Sequence, residues 1–197
     1  MRLVLVDNAS RRGTSEWEGA LERALVVRNR QRLGYAANLN RILERASARH
    51  ILLMNTDMYF DAEAQCLSRM VTFMDGEPAC GIAACRIYHE DGSYAWPARR
   101  LQTLRTFAAR RLRLDPGQAE VRRYLYLDRG PTDTFDCDWL SGCFLMVRGT
   151  AARQVGRFDE GFRKYFEDVD YCLRMSRAGW RVMVYGGTYC YHLEQRA

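Results

Sequence analysis

The spacing of apolar positions changes several times along the chain, and each change predicts an element. Residues 2–6 form a short run rich in Leu and Val, read as a strand, and run into the turn-forming cluster Asp7-Asn8-Ala9-Ser10. Residues 24–27 read as a second strand. Gly34 breaks the chain, and Ala, Leu, Ile and Arg then recur at helical spacing over residues 36–48. A third strand, residues 50–54, leads into Asn55-Thr56-Asp57. Asp61 is placed to cap a helix reaching residue 75, with Glu63 in its first turn. Residues 81–88 read as a strand followed by the hairpin-type turn Glu90-Asp91-Gly92. From Glu167 a last helix is predicted, with Val169, Cys172, Leu173 and Ser176 on one face and Gly179 as its stop.

Strands alternating with helices predict an α/β fold whose sheet is mostly parallel and covered by helices on both faces. Ligands of such sheets bind at the carboxyl ends of the strands. Two predicted strands end in Asp-bearing polar clusters, Asp7-Asn8 and Asn55-Thr56-Asp57, which points to a shared site rather than two solvated turns. Residues 99–123 differ from the rest. Leu101, Leu104, Phe107, Ala108 and Leu112 fit a helical stripe, and Arg105, Arg110, Arg111 and Arg113 crowd the other positions. Such a basic amphipathic segment either packs on the domain as a surface helix or docks on an anionic membrane or lipid phosphate.

Composition narrows the class. A chain of 197 residues, 48% hydrophobic and 27% charged, suits one folded domain and excludes disorder. No window approaches the run of about 18–20 apolar residues that a membrane helix needs. The opening MRLVLVDNAS is interrupted at Asp7 and does not read as a signal peptide, so a cytoplasmic location is expected. Seven cysteines without a CxxC pair read as reduced, buried thiols, and the three histidines lie too far from any cysteine pair to suggest structural zinc. The net charge of +6, carried by arginines and the single lysine Lys164, allows an anionic partner. No basic-aromatic recognition motif accompanies it, so nucleic acid is not an expected partner.

Two clusters carry candidate chemistry. An acid just past a buried strand, as Asp57 is, suits a divalent cation held against a diphosphate, because Mg²⁺ and Mn²⁺ take one or two carboxylates and leave positions for phosphate. The plainer reading is a strand-end turn that Asp57 caps. Further on, Asp159, Glu160, Glu167 and Asp168 are interleaved with Phe158, Phe162, Tyr165 and Phe166. Acids at a helix start favour the helix dipole, and Asp170 is spaced to pair with Arg174. A carboxylate held ionised there also suits a general base.

The order VDNAS, GYAANLN, LLMNTD, DWLSGCFLMVR, GRFDEGFRKYFEDVDYCLRMSRAGWRV and a late Tyr191-His192 resembles the family 2 glycosyltransferases, their rhamnosyltransferase-like branch above all. The resemblance spans nearly the whole chain and implies a GT-A, Rossmann-like fold. It implies a nucleotide-sugar-binding half over residues 1–95 and an acceptor-binding, catalytic half over 96–197. Asp7 then matches the acid that hydrogen-bonds the nucleotide base, with Asn8 beside it and Asn38 and Asn40 near the nucleotide. Asp57 matches the last acid of a DxD metal motif whose first acid is replaced by Asn55. His192 stands where a late metal-binding histidine occurs, or is a satisfied strand histidine. Asp168, paired with Glu167, matches the catalytic base, and Trp139, Ser141 and Gly142 match the loop facing the acceptor.

The implied reaction is a single inverting displacement with Mg²⁺ or Mn²⁺. It moves a sugar, rhamnose by resemblance, from a UDP- or dTDP-linked donor to a lipid-linked or surface glycan, with peripheral contact at the inner face of the membrane. Family members carry a further strand and helix ahead of the motif VDNAS, and this sequence starts just before it. That predicts an unpaired edge at Leu3-Val4-Leu5 and pairing into a homodimer. The alternative reading is a catalytically silent GT-A-like interaction module.

Overall fold

A strand buried without a break from Cys80 to Cys85 must be covered on both faces, and the fold is arranged about it. This strand, β5 (Cys80–His89), lies third in a sheet of order β3-β9-β5-β10-β4 in the computed structural model, which describes residues 2–11, 24–112 and 116–193. The strands beside it are β3 (His50–Met54), β4 (Met58–Tyr59), β9 (Phe144–Arg148) and β10 (Arg181–His192). β7 (Phe135–Asp136) pairs with β10 as a short extra strand. Two smaller ladders stand apart: β1 (Leu3–Asp7) with β2 (Ala24–Arg28), and β6 (Ala98–Arg99) with β8 (Trp139–Leu140).

The α/β class and the mixed sheet agree with the sequence reading. The share of parallel pairing is smaller than expected: β1 with β2 and β5 with β10 run parallel, whereas β9 runs antiparallel to both β3 and β5, and β4 and β7 to β10. The period-2 pattern reports burial and says nothing of strand direction. Among the described residues β1 pairs with β2 alone, and Leu3 to Val6 are only half-buried.

The helices are α1 (Tyr35–Leu43), α2 (Cys66–Gly76), α3 (Leu104–Leu112), α4 (Pro116–Tyr124), α5 (Gly149–Val155) and α6 (Glu167–Arg177). α1 stops five residues before the predicted end at 48, because a tight turn through Glu44 and Arg45 redirects the chain into β3. Asp61 does not cap α2. Its two oxygens accept from the Glu63 N–H and the Tyr189 hydroxyl, and α2 begins only at Cys66. α6 starts at Glu167 as predicted, and the Asp170–Arg174 pair forms at 2.8 Å. Its buried face, however, is Tyr171, Cys172 and Met175, set by Tyr171 stacking on Phe158 at 3.9 Å.

The core joins Met70 and Met74 of α2, Ile82 and Ile87 of β5, Phe144, Leu145 and Val147 of β9, and Tyr171 and Met175 of α6. All seven cysteines are free thiols, and all but Cys143 are buried. Three of them cluster: the Cys85 sulfur lies 3.6 Å from that of Cys66 and 3.4 Å from that of Cys190. Arg148, at the end of β9, clamps the carboxyl end of α2, donating to the carbonyls of Met74, Glu77 and Cys80. A cation there satisfies orphan carbonyls and complements the helix dipole. Arg148→Ala is expected to lower stability by about 2–3 kcal/mol. A drop in melting temperature of roughly 5–10 °C, followed by circular dichroism, checks it.

The basic segment departs most from the packed-helix reading. Leu104 is 89% exposed and Phe107 61%, so the apolar stripe faces solvent, while Thr106 is buried. Thr103 caps α3 by accepting the Thr106 N–H at 3.1 Å. Arg105 and Arg111 are exposed on the same helix; Arg113 and the side chains of Arg110 and Leu112 lie outside the described residues. Among the described residues no helix is long and apolar enough to cross a membrane.

Candidate active site

Antiparallel register brings the first site residues together. Met54 pairs with Phe144, so the next residue of β3, Asn55, lies opposite Cys143 and donates its N–H to the Cys143 carbonyl at 3.0 Å. Gly142 is thereby placed beside the end of β3. α6 meets the same point: the Asp168 carboxylate accepts the Gly142 N–H through Oδ2 and the Val169 N–H through Oδ1, both at 2.9 Å. A Cβ on Gly142 would lie 3.3 Å from the Tyr35 ring, a tight approach, and 3.5 Å from Asp168 Oδ2, in ordinary contact.

A second long-range pairing supplies the other end. β4 runs antiparallel to the end of β10, His192 facing Met58, and the Leu193 N–H donates to the Asp57 carbonyl at 2.9 Å. The side chains follow: His192 Nε2 lies 3.2 Å from Asp57 Oδ1 and 3.4 Å from the Asn55 amide nitrogen. Tyr35, the first residue of α1, closes the gap, its hydroxyl lying 2.8 Å from both Asn55 Oδ1 and the Gly142 carbonyl. One cluster of polar contacts therefore runs Asp57, His192, Asn55, Tyr35, Gly142, Asp168, in which His192 Nε2 bonds either Asp57 or Asn55 according to its tautomer and the Tyr35 proton goes to either Asn55 or Gly142.

Burial sets the electrostatics. It raises Asp168 above the ordinary aspartate range, against the lowering effect of the Gly142 and Val169 N–H groups and of Arg99. Burial also raises Glu167, and the neighbouring Asp168 charge adds to it; its Oε2 is buried with no hydrogen-bond partner among the described residues. The helix start was expected to favour ionisation, and here desolvation outweighs it. Burial and the surrounding acidic groups push the Tyr35 phenol up, so it stays a hydrogen-bond donor across the neutral range.

The Asp57 and His192 donors fit a divalent cation. Two cis ligands of an octahedral ion with bonds of about 2.1 Å lie about 3.0 Å apart, close to the observed 3.2 Å. An imidazole in the set suits Mn²⁺ better than Mg²⁺, which keeps to oxygen.

The remaining predicted residues form separate groups. Asp7 accepts the Ser10 N–H at 2.9 Å, and that bond, with the Ser10 hydroxyl, holds its carboxyl below the usual range. Asn8 accepts from the Leu33 N–H and the Asn29 amide, which also donates to Asn38 at 2.7 Å. Asn8, Asn29 and Asn38 thus brace the loop between β2 and α1. Asn40 is buried elsewhere, both ends of its amide engaged by Phe158 and Glu160. Trp139 donates to the Arg100 carbonyl, and the Ser141 N–H to the Pro97 carbonyl, which fixes the backbone around Gly142. Sequence reasoning missed Tyr35 and Asn29; only the place of Tyr35 directly after the chain-breaking Gly34 hinted at a role.

Residues 1–138 match the family model described as glycosyl transferase family 2. The chain is 28% identical over 209 aligned residues to the N-acetylglucosaminyl-diphospho-decaprenol L-rhamnosyltransferase of Mycobacterium tuberculosis, covering 90% of this chain and 62% of that protein. It therefore spans less than two thirds of that relative. A shorter stretch of 45 residues, 23% of this chain and 17% of the relative, is 47% identical to the rhamnosyltransferase WbbL of Escherichia coli. Among solved structures, GalNAc-T7 with UDP, GalNAc and Mn²⁺ superposes with a TM-score of 0.67 at 14% identity, over 98% of this chain and 37% of that one. The Pyrobaculum calidifontis mannosyltransferase PcManGT with GDP-Man and Mn²⁺ gives 0.64 at 17%, over 100% and 49%. S. aureus TarS 1-349 with UDP-GlcNAc gives 0.66 at 15%, over 100% and 50%. These likenesses place the fold in the GT-A class.

Proposed function

Since the chain belongs to glycosyl transferase family 2, we propose that it carries an inverting transfer of a sugar from a UDP- or dTDP-linked donor to a hydroxyl of a lipid-linked or surface glycan, with rhamnose as the leading candidate. The observation that carries this reading is the single cluster of polar contacts joining Asp57 and His192 to Asp168. Asp168 takes the proton of the acceptor hydroxyl while that oxygen attacks the anomeric carbon, and the carbon–oxygen bond to the diphosphate breaks with its electron pair leaving on the diphosphate. Burial makes Asp168 a stronger base than a solvated aspartate. Asp57 and His192 would hold a Mn²⁺ or Mg²⁺, which would supply positive charge against that growing on the leaving group. Tyr35 keeps Gly142, and through it Asp168, in fixed relation to Asn55.

Residues 1–95 serve the donor and 96–197 the acceptor and the chemistry in this reading. Asp7 and Asn8 stand on the nucleotide side with Asn38; Asn40 acts indirectly, by holding the loop at Phe158. Gly142 faces the acceptor, with Trp139 and Ser141 behind it. The exposed Leu104 and Phe107, flanked by Arg105 and Arg111, support peripheral contact with the inner face of the membrane from the cytoplasm. The second edge of β1, unshared among the described residues, supports pairing between two copies.

Thermal shift with UDP, dTDP, GDP and CMP, each with and without Mn²⁺, tests the reading. UDP or dTDP with Mn²⁺ is expected to stabilise most, by about 2.7 kcal/mol at a hundredfold excess over Kd, or roughly 5–10 °C. No shift with any nucleotide would favour the silent module instead.

A further inference from the structure

Immediately ahead of Glu167 and Asp168 lie four consecutive exposed residues, Arg163-Lys164-Tyr165-Phe166. Tyr165 and Phe166 both occupy the left-handed region, with φ of 70° and 69°, where a Cβ crowds the backbone and only glycine is at ease. They also remain 67% and 58% exposed. Tyr126 shows the ordinary use of such a turn: its φ is 54° and its ring is 4% exposed, so strain there accompanies burial. At Tyr165 and Phe166 strain accompanies exposure. Two large rings are held out in water, at a cost in both backbone conformation and hydration, three and two residues ahead of the candidate base in the chain.

The segment is anchored at both ends to the site. The Tyr35 N–H donates to the Arg163 carbonyl at 3.0 Å, and Gly34 approaches so closely that a Cβ there would lie 2.8 Å from that oxygen. Tyr35 is the residue whose hydroxyl meets Asn55 and Gly142. At the other end the Phe166 carbonyl accepts the Asp170 N–H at 2.9 Å, which starts α6. Phe166 stands two residues before Asp168 in the chain, so their Cα atoms are at most about 7 Å apart. Lys164 Nζ lies 5.0 Å from the Tyr165 ring centroid, within range of its negative face.

We infer that Tyr165 and Phe166 form a stacking platform for the sugar ring of the acceptor, which sets the attacking hydroxyl toward Asp168. A pyranose has a face of C–H groups carrying slight positive charge, and an aromatic ring presents a negative face and a large apolar area to match it. Stacking there leaves the rim hydroxyls free for the base. Arg163 and Lys164 bring positive charge to the same rim, suited to a phosphate on that acceptor. The inference rests on the glycosyl-transfer reading and adds which residues select the acceptor.

The test measures transfer from a dTDP- or UDP-sugar to N-acetylglucosaminyl diphosphate carrying a short alkyl chain, and to the same sugar without phosphate. Tyr165→Ala and Phe166→Ala are expected to raise acceptor KM about tenfold or more. Donor KM and the nucleotide-induced thermal shift stay unchanged, and Tyr165→Phe and Phe166→Tyr keep wild-type values. Phe166→Gly removes the ring and relieves the left-handed strain, so it is expected to raise the melting temperature while still raising acceptor KM. A purely structural role predicts the opposite: lower melting temperatures and no selective change in acceptor KM. Acceptor KM within twofold of wild type in both alanine variants overturns the platform and leaves the transfer reading standing. Failure of the wild-type protein to consume any donor overturns the transfer reading and the platform with it, and it is read in the wild-type arm alone.

Discussion

Asp168→Asn is expected to cut transfer by about 10²–10⁴-fold while donor binding changes little. In the proposed reading the carboxylate serves the acceptor: its oxygens accept from Gly142 and Val169, and Asp57 and His192 stand at the far end of the cluster. The amide cannot take a proton, so the step loses its base without losing the donor pocket. The wild-type pH profile gives an independent reading. A base works only when ionised, so transfer falls as pH drops through the Asp168 pKa. Because burial raises that pKa, the fall begins at higher pH than for a solvated aspartate. In Asp168→Asn this acid limb should vanish from the residual rate. Glu167 shares the upward shift, so Glu167→Gln is the necessary control: it should keep the limb. One side effect is foreseeable, since the new NH₂ group faces an N–H donor where the carboxylate had two acceptors, and a melting curve separates that from the chemistry. Near-normal donor consumption by a folded Asp168→Asn protein would remove Asp168 from the base role.

How much of this was legible beforehand follows the range of the interactions. The strand at residues 50–54 and the start of α6 at Glu167 came directly from apolar spacing and from local acids. The start of α2 and the buried face of α6 did not, because each is set by a partner elsewhere in the chain, Tyr189 on Asp61 and Phe158 on Tyr171, and the end of α1 is set by a local turn through Glu44 and Arg45 that interrupts a helical pattern. The site divides in the same way. Asp57, His192, Asp168 and Gly142 were named from motif order, and the structure joins them through the pairing of β3 with β9 and of β4 with β10. The joining residue, Tyr35, carries no signature of its own, since a tyrosine at a helix start is ordinary until its hydroxyl is seen between two other elements. Asn40 is the converse. It lies in the same motif as Asn38, yet two residues along a helix turn it to the other side, where its amide is engaged by Phe158 and Glu160.

Removing the proposed metal ligands should have the second largest effect, and it separates two accounts of one contact. The 3.2 Å approach of His192 Nε2 to Asp57 Oδ1 is either a hydrogen bond that fastens the end of β10 to β4 or one edge of a cation site. The two accounts predict different losses. As a fastening, it is one hydrogen bond worth about 0.5–1.5 kcal/mol net, between side chains only 16% and 19% exposed. His192→Ala would then lower the melting temperature slightly and leave nucleotide binding alone. As a cation site, Asp57 supplies its one anionic ligand, because Asn55 offers only a neutral amide whose oxygen is already engaged by Tyr35. Asp57→Ala is therefore expected to abolish the Mn²⁺-dependent part of nucleotide stabilisation. Transfer should also fall by roughly 10²–10³-fold, the usual loss when one stabiliser of developing charge is removed. His192→Ala should do the same more weakly, shifting the remaining preference from Mn²⁺ toward Mg²⁺ as the nitrogen ligand disappears. Titration of Mn²⁺ by electron paramagnetic resonance, with nucleotide present, reads the site directly. Equal Mn²⁺ affinity in the wild type and in Asp57→Ala would leave the pair as a fastening and move any cation site elsewhere in the fold.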